Sequence, residues 1–398
     1  MSSSKNVVIL GASFSGLPMA HYLIKYLPAD YTVTLVNPST HLFWNIAAPR
    51  AIVAPELLGK NHADLFLPFL PAFEKYTAGR FRFVQGKAVS SNPAVNTVTV
   101  QTHSDNAKGG ESREVVLNYA HLIVATGSRE AGGSWGFKAT GNGSHVDTQS
   151  TIAATRSSLT AAKTIVISGA GATGIEVVGE IASFYEGQGK HITLVSSSAQ
   201  PLSMVPETVG KAARYHLEKM GVQICDNARV ANESKTPGAG TMLTLSTGET
   251  ITADVHISTW GMTPNTEFFA RELLDSAGWV TTDKYMRTPA HKNVWALGDV
   301  THWGNRKVST IEAMHNIVTV NLLATINGKS EAELQEYKHK DGLMLLVPMG
   351  AKFGRATAYL FGMKIWGWLA WLVKGRTYMV ELNRPLADGL ITSGRTKI

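Results

Sequence analysis

The sequence predicts an α/β chain with two parallel-sheet domains and an apolar, basic C-terminal segment. Three observations carry that prediction. The run Asn6-Val-Val-Ile-Leu-Gly-Ala-Ser-Phe-Ser-Gly leads through an apolar-periodic stretch (Leu17, Ala20, Leu23, Ile24) to a second strand, Thr32 to Val36. A second copy of strand, glycine turn, helix and strand begins 158 residues later, as Thr164-Ile-Val-Ile-Ser-Gly-Ala-Gly-Ala-Thr-Gly followed by Ile175, Val178, Ile181 and His191 to Val195. The two copies also match in spacing, with 26 residues from Gly11 to Asn37 and 27 from Gly169 to Ser196. Repetition of this unit predicts two Rossmann-like, dinucleotide-binding βαβ folds.

The remaining elements follow in chain order. Phe81 to Val84, Thr97 to Thr102 and Val115 to Asn118 read as strands around a polar loop, Ser104 to Arg113, and His121-Leu-Ile-Val as a buried strand ending in Ala-Thr-Gly. Beyond the second unit, Val222 to Ile224, Met242 to Leu245 and Ile251 to Ile257 read as short strands around the turn Pro237-Gly-Ala-Gly. Then come Trp260-Gly-Met-Thr-Pro-Asn, the strand run Asn293-Val-Trp-Ala-Leu-Gly-Asp and a helix from about Ser309 to Ile326. This places the first domain at 1–155 and 284–342, the inserted domain at 156–283 and the C-terminal segment at 343–398. The inserted domain is expected to return the chain to the first domain after Thr263-Pro-Asn265.

Dinucleotide binding needs a tight turn, a residue without a side chain where the backbone meets pyrophosphate, and a small residue for helix packing. The phosphates then rest on the unpaired amides of a helix N-terminus. Gly169, Gly171 and Gly174 meet all three needs, with Thr173 between them. In the first turn Ser13 stands where the pyrophosphate glycine belongs, between Gly11 and Gly16, and Asn37 replaces the acid expected on the ribose. From these residues alone the first copy is either a binding turn or a structural relic. Ser196-Ser-Ser ends the second unit without an acid or an arginine, which predicts use of both NADH and NADPH.

Ala125-Thr126-Gly127 and Gly298-Asp299, each after an apolar strand, complete the pattern. With them the chain resembles the FAD-dependent pyridine nucleotide oxidoreductases, in particular the apoptosis-inducing-factor-like and ferroptosis-suppressor-type branch related to type II NADH dehydrogenases. The resemblance covers nearly the whole chain. It implies FAD on the first turn, with Gly11, Ser13, Gly16, Asn37, Arg50, Ala88, Thr126, Gly127 and Asp299, and NAD(P)H on Gly169, Gly171, Thr173, Gly174 and Ser196. Arg50, in Asn45-Ile-Ala-Ala-Pro-Arg, would touch the FAD pyrophosphate or ring, or else be a surface arginine. The resemblance also places Glu176 between nicotinamide, flavin and acceptor, where it would relay protons. A carboxylate merely favoured by a helix N-terminus is the alternative. Glu180 reads as an ordinary helix residue and His315 as a packing or surface residue.

Composition bounds the chemistry. The 398 residues contain one cysteine, Cys225, so no intrachain disulfide, CxxC pair or cysteine-based zinc cluster can form. No His or acid pair has metal spacing, and no metal is expected. Disulfide reductases of this fold carry a cysteine pair where this chain has Leu42-Phe-Trp-Asn-Ile-Ala-Ala. What remains is hydride transfer from NAD(P)H to FAD and delivery of electrons to a diffusible acceptor, which the resemblance implies is a quinone. A biosynthetic flavoenzyme acting on a small metabolite and a weakly catalytic, NADH-sensing signalling flavoprotein are the competing readings.

The net charge is +7, and eight basic against three acidic residues from Asp341 onward hold +5 of it. These bases are interleaved with Trp and Leu rather than gathered in exposed tracts, which speaks against nucleic acid. Residues 356–373 hold a single charge, Lys364, and predict an interfacial helix for peripheral membrane contact through 356–376, with a lid or homodimer contact as alternatives. No secretory signal is visible, so the expectation is a cytoplasmic protein, peripheral by resemblance on the mitochondrial outer membrane or a lipid droplet.

Overall fold

The computed structural model describes residues 5–102, 112–236, 240–304, 307–339 and 344–392. Most of the expected loop at 104–113, the first three residues of the 237–240 turn, and the basic residues Arg395 and Lys397 lie outside these ranges.

The apolar run Asn6–Leu10 is the centre of a seven-stranded sheet. Outward on one side lie His121–Val124 and Val294–Ala296; on the other lie Thr32–Asn37, Phe81–Asn92, Thr97–Thr102 and Arg113–Asn118. The first five strands pair in parallel, with Leu10 opposite both Val36 and Val124, and the last two close an antiparallel meander. Val7 and Ile9 pack into one core and Val8 and Leu10 into the other, because a parallel strand is covered on both faces. The helix Gly16–Tyr26 lies on the first of these faces.

The inserted unit repeats the plan. Thr164–Ser168 pairs in parallel with His191–Val195 and Val255–Ser258, and Gln223–Cys225 extends the sheet. A three-stranded antiparallel sheet, Val230–Thr236, Gly240–Leu245 and Thr250–Ala253, packs beside it. The two connections between the domains run side by side as Ser128–Glu130 and Met262–Pro264. Phe268, Phe269, Leu273 and Val280 then pack into the core of the first sheet with Val8 and Leu10. The chain therefore rejoins the first domain at about Asn265, and a boundary at 283 is too late by a segment that carries its own core residues.

The C-terminal segment departs from expectation. Residues 356–373 are not one helix: Ala356–Leu360 and Met363–Ile365 form a hairpin that adds to Leu345–Pro348, and only Gly367–Gly375 is helical. The reason is local. Phe361 and Gly362 both take positive φ, +52° and +80°, the two-residue turn that matches the twist of a hairpin. Gly367 packs on the Ala356 carbonyl, where a Cβ would come within 2.3 Å. Among the described residues no helix is long and apolar enough to cross a membrane.

Candidate active site

Each glycine turn is held by contacts that admit no side chain. A Cβ at Gly11, whose φ is +102°, would lie 2.4 Å from the Ala125 carbonyl oxygen, and one at Gly16 would lie 1.9 Å from that of Gly11. The second turn repeats this at Gly174, where a Cβ would come 1.8 Å from the Gly169 oxygen. The middle positions differ. A Cβ on Gly171 would find only the Met204 methyl at 3.9 Å, so the backbone there faces open space. No side chain caps the following helix, Ala172–Phe184, and its first amides are left for an anion. Thr173 is exposed on that first turn. In the first turn the open position carries the exposed side chain of Ser13.

Asn37 braces the first turn. Its Oδ1 accepts from the Ala12 amide at 2.9 Å and its Nδ2 donates to the Ser39 carbonyl at 2.7 Å. Ala88 lies three residues beyond Gln85, the strand partner of Asn37. Thr126 and Gly127 are tied to the returning chain: the Thr126 hydroxyl donates to the Asn265 carbonyl at 2.8 Å, and the Asn265 amide nitrogens reach the carbonyls of Gly127 and Thr126. Gly298 lets the next loop come against the first turn, since a Cβ there would lie 2.3 Å from Ser15 Oγ. Asp299 follows it and accepts from Lys138 at 2.8 Å.

Three sequence-derived residues take different roles from those expected. Arg50 is completely buried, with Nε and Nη2 on the two oxygens of Glu180 at 2.9 and 2.8 Å and Nη1 on the Arg376 carbonyl at 2.9 Å. It is neither a surface residue nor free to grip a pyrophosphate with these donors. Glu180 is correspondingly no ordinary helix residue; it also accepts from the Tyr378 hydroxyl at 3.0 Å. Ser196 turns its hydroxyl inward onto the Ser198 carbonyl at 2.9 Å, so it contributes position rather than a ligand. His315 is buried against Tyr22, and burial pulls its pKa down to about 4, the behaviour of a neutral packing residue.

Glu176 is buried one turn before Glu180 and forms an ion pair with Lys374. Burial pushes its carboxyl pKa up, and the Lys374 ammonium opposes the shift. Lys374 and Tyr378, themselves four apart, thus cover two carboxylates four apart on the facing helix. The contact is close because Gly179 and Gly350 leave room for it: a Cβ on either would lie 2.5 Å or less from the other segment, at Met349 and Ser183. Lys374 belongs to a stretch that reads as membrane-facing, and nothing in its local sequence signals this partner. The same holds for Lys352 and Arg355 on Glu186, and Arg384 on Asp64. Four of the eight bases of this segment are therefore paired with carboxylates elsewhere in the protein.

One further cluster has the spacing of a nucleophilic triad. Ser168 Oγ lies 2.8 Å from His256 Nε2, and His256 Nδ1 lies 3.0 Å from Glu233. Ser168 also accepts from the Trp260 indole and is buried beneath the sheet end, so this chain braces the second turn and offers no substrate access. Among the described residues no group of His, Cys, Asp or Glu could hold a metal.

A sequence profile of the pyridine nucleotide-disulphide oxidoreductases matches residues 5–319. The chain belongs to this family. It is an oxidoreductase of an FAD- and NAD(P)-dependent family, with FAD and NAD(P)H as its cofactors. It is 32% identical to an oxidoreductase, ptaL, of Pestalotiopsis fici over 97% of this chain and 99% of that protein. It is 25% identical to ferroptosis suppressor protein 1 of Xenopus tropicalis over 89% and 88%. Among solved structures, the sulfide:quinone oxidoreductase of Aquifex aeolicus superposes with a TM-score of 0.73 at 17% identity, covering 97% and 92% of the two chains. The NDH2 of Plasmodium falciparum does so at 0.69 and 13%, covering 96% and 97%. At these identities the structures share the fold. The family name includes disulphide chemistry, yet this oxidoreductase holds a single, half-buried cysteine at the end of Gln223–Cys225.

The cradles suit the cofactors. The second turn is bare backbone before an uncapped helix, as a pyrophosphate requires. On the loop that leads from Asp299 into the helix Val308–Ile326, the Lys307 ammonium is buried without a hydrogen-bond partner among the described residues, an arrangement that an anionic group relieves.

Proposed function

We propose that this oxidoreductase passes electrons from NAD(P)H through FAD to a quinone-like acceptor. FAD would be held by Gly11, Ser13, Gly16, Asn37, Ala88, Thr126, Gly127 and Asp299, and NAD(P)H by Gly169, Gly171, Thr173 and Gly174 beside Ser196. The flavin, when bound, accepts a hydride and releases its electrons to an acceptor that needs no disulfide. Arg50 is left out of the contact set, because its role is to neutralise Glu180.

The observation that carries the acceptor reading is the Glu176–Lys374 pair. Quinone reduction consumes two protons along with two electrons. Burial makes Glu176 take up a proton more readily than a surface carboxylate, and its ion-pair partner Lys374 carries the proton that the pair can pass on. Both sit at the seam between the second turn's helix and the C-terminal segment, and Arg50, Glu180 and Tyr378 hold that seam rigid.

The hairpin and the turn after it extend this reading to location. Phe361, Met363, Trp366 and Trp368 stand exposed, Phe361 by 82% and Trp366 by 72%, with the two indoles stacked and Lys364 next to Met363 in sequence. Such a strip suits peripheral contact with a membrane that dissolves the quinone.

Anaerobic NADH added to the purified flavoprotein is expected to bleach the flavin absorbance, and a short-chain quinone to restore it. Glu176→Gln should keep bound flavin and its reduction by NADH while slowing reoxidation by quinone about 10²-fold, the usual worth of a positioned proton donor. Bleaching that quinone fails to reverse would overturn the acceptor. Unchanged reoxidation in the variant would return Glu176 to a structural role.

A further inference from the structure

The adenosine ribose of a dinucleotide rests at the end of the second strand of its βαβ unit, where an acid recognises a free 2′-hydroxyl and an arginine a 2′-phosphate. In the inserted domain that strand, His191–Val195, ends on Ser196, whose hydroxyl is spent internally. The sequence around it holds no charge, but the fold brings charge there from two other elements.

Arg214 comes from the helix Glu207–Lys219, and Asp226 directly follows the strand Gln223–Cys225. Val195 pairs with Cys225, and the Ser196 amide donates to the Cys225 carbonyl at 2.8 Å, so Asp226 lies beside the strand end in register. The Asn227 amide donates to the Ser198 carbonyl at 3.2 Å, which fixes the loop against it. Arg214 Nη2 donates to both oxygens of Asp226 at 2.7 Å and reaches the Ala199 carbonyl at 3.4 Å. Among the described residues Nη1 has only Glu218, at 3.4 Å. The two side chains are 25% and 29% exposed, so the pair is open to a ligand rather than sealed in the core.

We propose that Arg214 is the group that meets a 2′-phosphate and that Asp226 limits it. Nε has no partner among the described residues and Nη1 only a long contact, so the guanidinium keeps donors that a phosphate can take in charge-assisted hydrogen bonds. Asp226 competes for the same guanidinium, and with Glu218 it leaves the cluster one negative charge in excess. A 2′-hydroxyl instead finds a carboxylate acceptor in Asp226. NADH is therefore preferred and NADPH accepted, by residues outside the strand-end motif where cofactor choice is usually read. The assignment rests on the reading that the second turn holds NAD(P)H.

Calorimetric titration of the intact flavoprotein with 2′,5′-ADP and with 5′-AMP tests it, since neither fragment requires turnover. Asp226→Asn should tighten 2′,5′-ADP about tenfold, the scale of one charge-assisted hydrogen bond, and weaken 5′-AMP about three- to fivefold, because the ionised acceptor of its 2′-hydroxyl is lost. Arg214→Gln should weaken 2′,5′-ADP by a similar factor, and the double variant should lose the gain of Asp226→Asn. Unaltered flavin absorbance and melting temperature show that the variants are folded. A ratio of the two affinities that stays constant across the variants would overturn the assignment while leaving the second turn as a nucleotide site. If neither fragment binds the parent protein, the nucleotide reading of that turn falls and this assignment with it.

Discussion

The two glycine turns differ in how much of their binding surface is made locally. In the second turn Gly169, Gly171 and Gly174 supply the bend, the bare backbone and the helix contact within six residues, and among the described residues a Cβ at the middle position would meet only a methionine methyl, at 3.9 Å. The first turn has the same two packing glycines but carries Ser13 in the middle, and it draws on distant groups: Asn37 braces Ala12, Gly298 abuts Ser15, and Asp299 arrives with Lys138. A strict motif is therefore sufficient when the site is local. A relaxed one works when the rest of the domain completes it.

The most severe way to break this comparison is to fill one packing position at a time. Gly174→Val would place a Cβ 1.8 Å from the Gly169 oxygen, which the turn can relieve only by moving the helix. Hydride transfer from NADH should fall by at least about 10²-fold, the equivalent of the upper range of overpacking costs, while flavin absorbance remains. Gly16→Val, with its Cβ 1.9 Å from the Gly11 oxygen, should do the reverse and yield colourless protein. Loss of both cofactors from either variant, read by absorbance and NADH fluorescence, would show that the turns are not independent.

Next in size is the ion pair that ties the second unit's helix to the first domain. Glu180→Leu leaves the Arg50 guanidinium buried and unpaired, at a cost of about 3–5 kcal/mol in urea unfolding. The double variant Arg50→Met with Glu180→Leu should recover most of it, since removing both charges also removes their desolvation cost. Arg50→Met in that double variant should leave FAD affinity unchanged. A selective loss of FAD would restore Arg50 to the pyrophosphate.

These cases also mark what was legible in the amino-acid order. The parallel strands, both glycine turns and the Gly298-Asp299 loop could be read because period, turn chemistry and chain position coincide within a few residues. Arg50 could not, because its partner is 130 positions away on a helix that reads as amphipathic in its own right. Glu176 was visible as a residue worth suspecting, whereas Lys374 was hidden in a stretch whose tryptophans suggested an interface. The hairpin at Phe361-Gly362 is hidden for a related reason. Apolar content there predicts a helix, whereas the two-residue turn of positive φ decides for a hairpin. Arg214 and Asp226 complete the list: the strand-end rule looks one residue ahead, and the fold delivers the charges from the next helix and the next strand.

Acid should bear most heavily on the first domain, although burial also lowers the pKa of His216 in the inserted one. Burial pulls the pKa of His21 down to about 3 and those of His121 and His315 to about 4, and all three lie in the first domain. A depressed folded pKa means that the unfolded chain binds the proton first. The stability held above the unfolded value of 6.5 is thus lost as pH falls toward 4. Each histidine steepens the fall by up to about 1.4 kcal/mol per pH unit in that window. Urea midpoints at pH 7, 6 and 5 should drop, and His315→Phe should flatten the slope by about one third. Parallel slopes for parent and variant would place the acid sensitivity elsewhere.

The smallest expected effect bears most directly on the difference between the turns. Ser13→Gly gives the first turn the bare middle position of the second. Ser13 is exposed and its side chain makes no hydrogen bond among the described residues, so folding loses little beyond the entropy of one glycine, about 0.5–1 kcal/mol. FAD affinity, measured by fluorescence titration of the apoprotein, should rise by only about two- to fivefold, because Asn37, Gly298 and Asp299 already position the loop and a single closer approach adds about one weak hydrogen bond. A rise of a hundredfold or more would mean that the serine, rather than the distant braces, governs this turn. No change at all, or a loss, would mean that the serine hydroxyl itself replaces the contact a glycine backbone makes in the other copy. The two turns would then reach the same end by different chemistry rather than by degrees of one design.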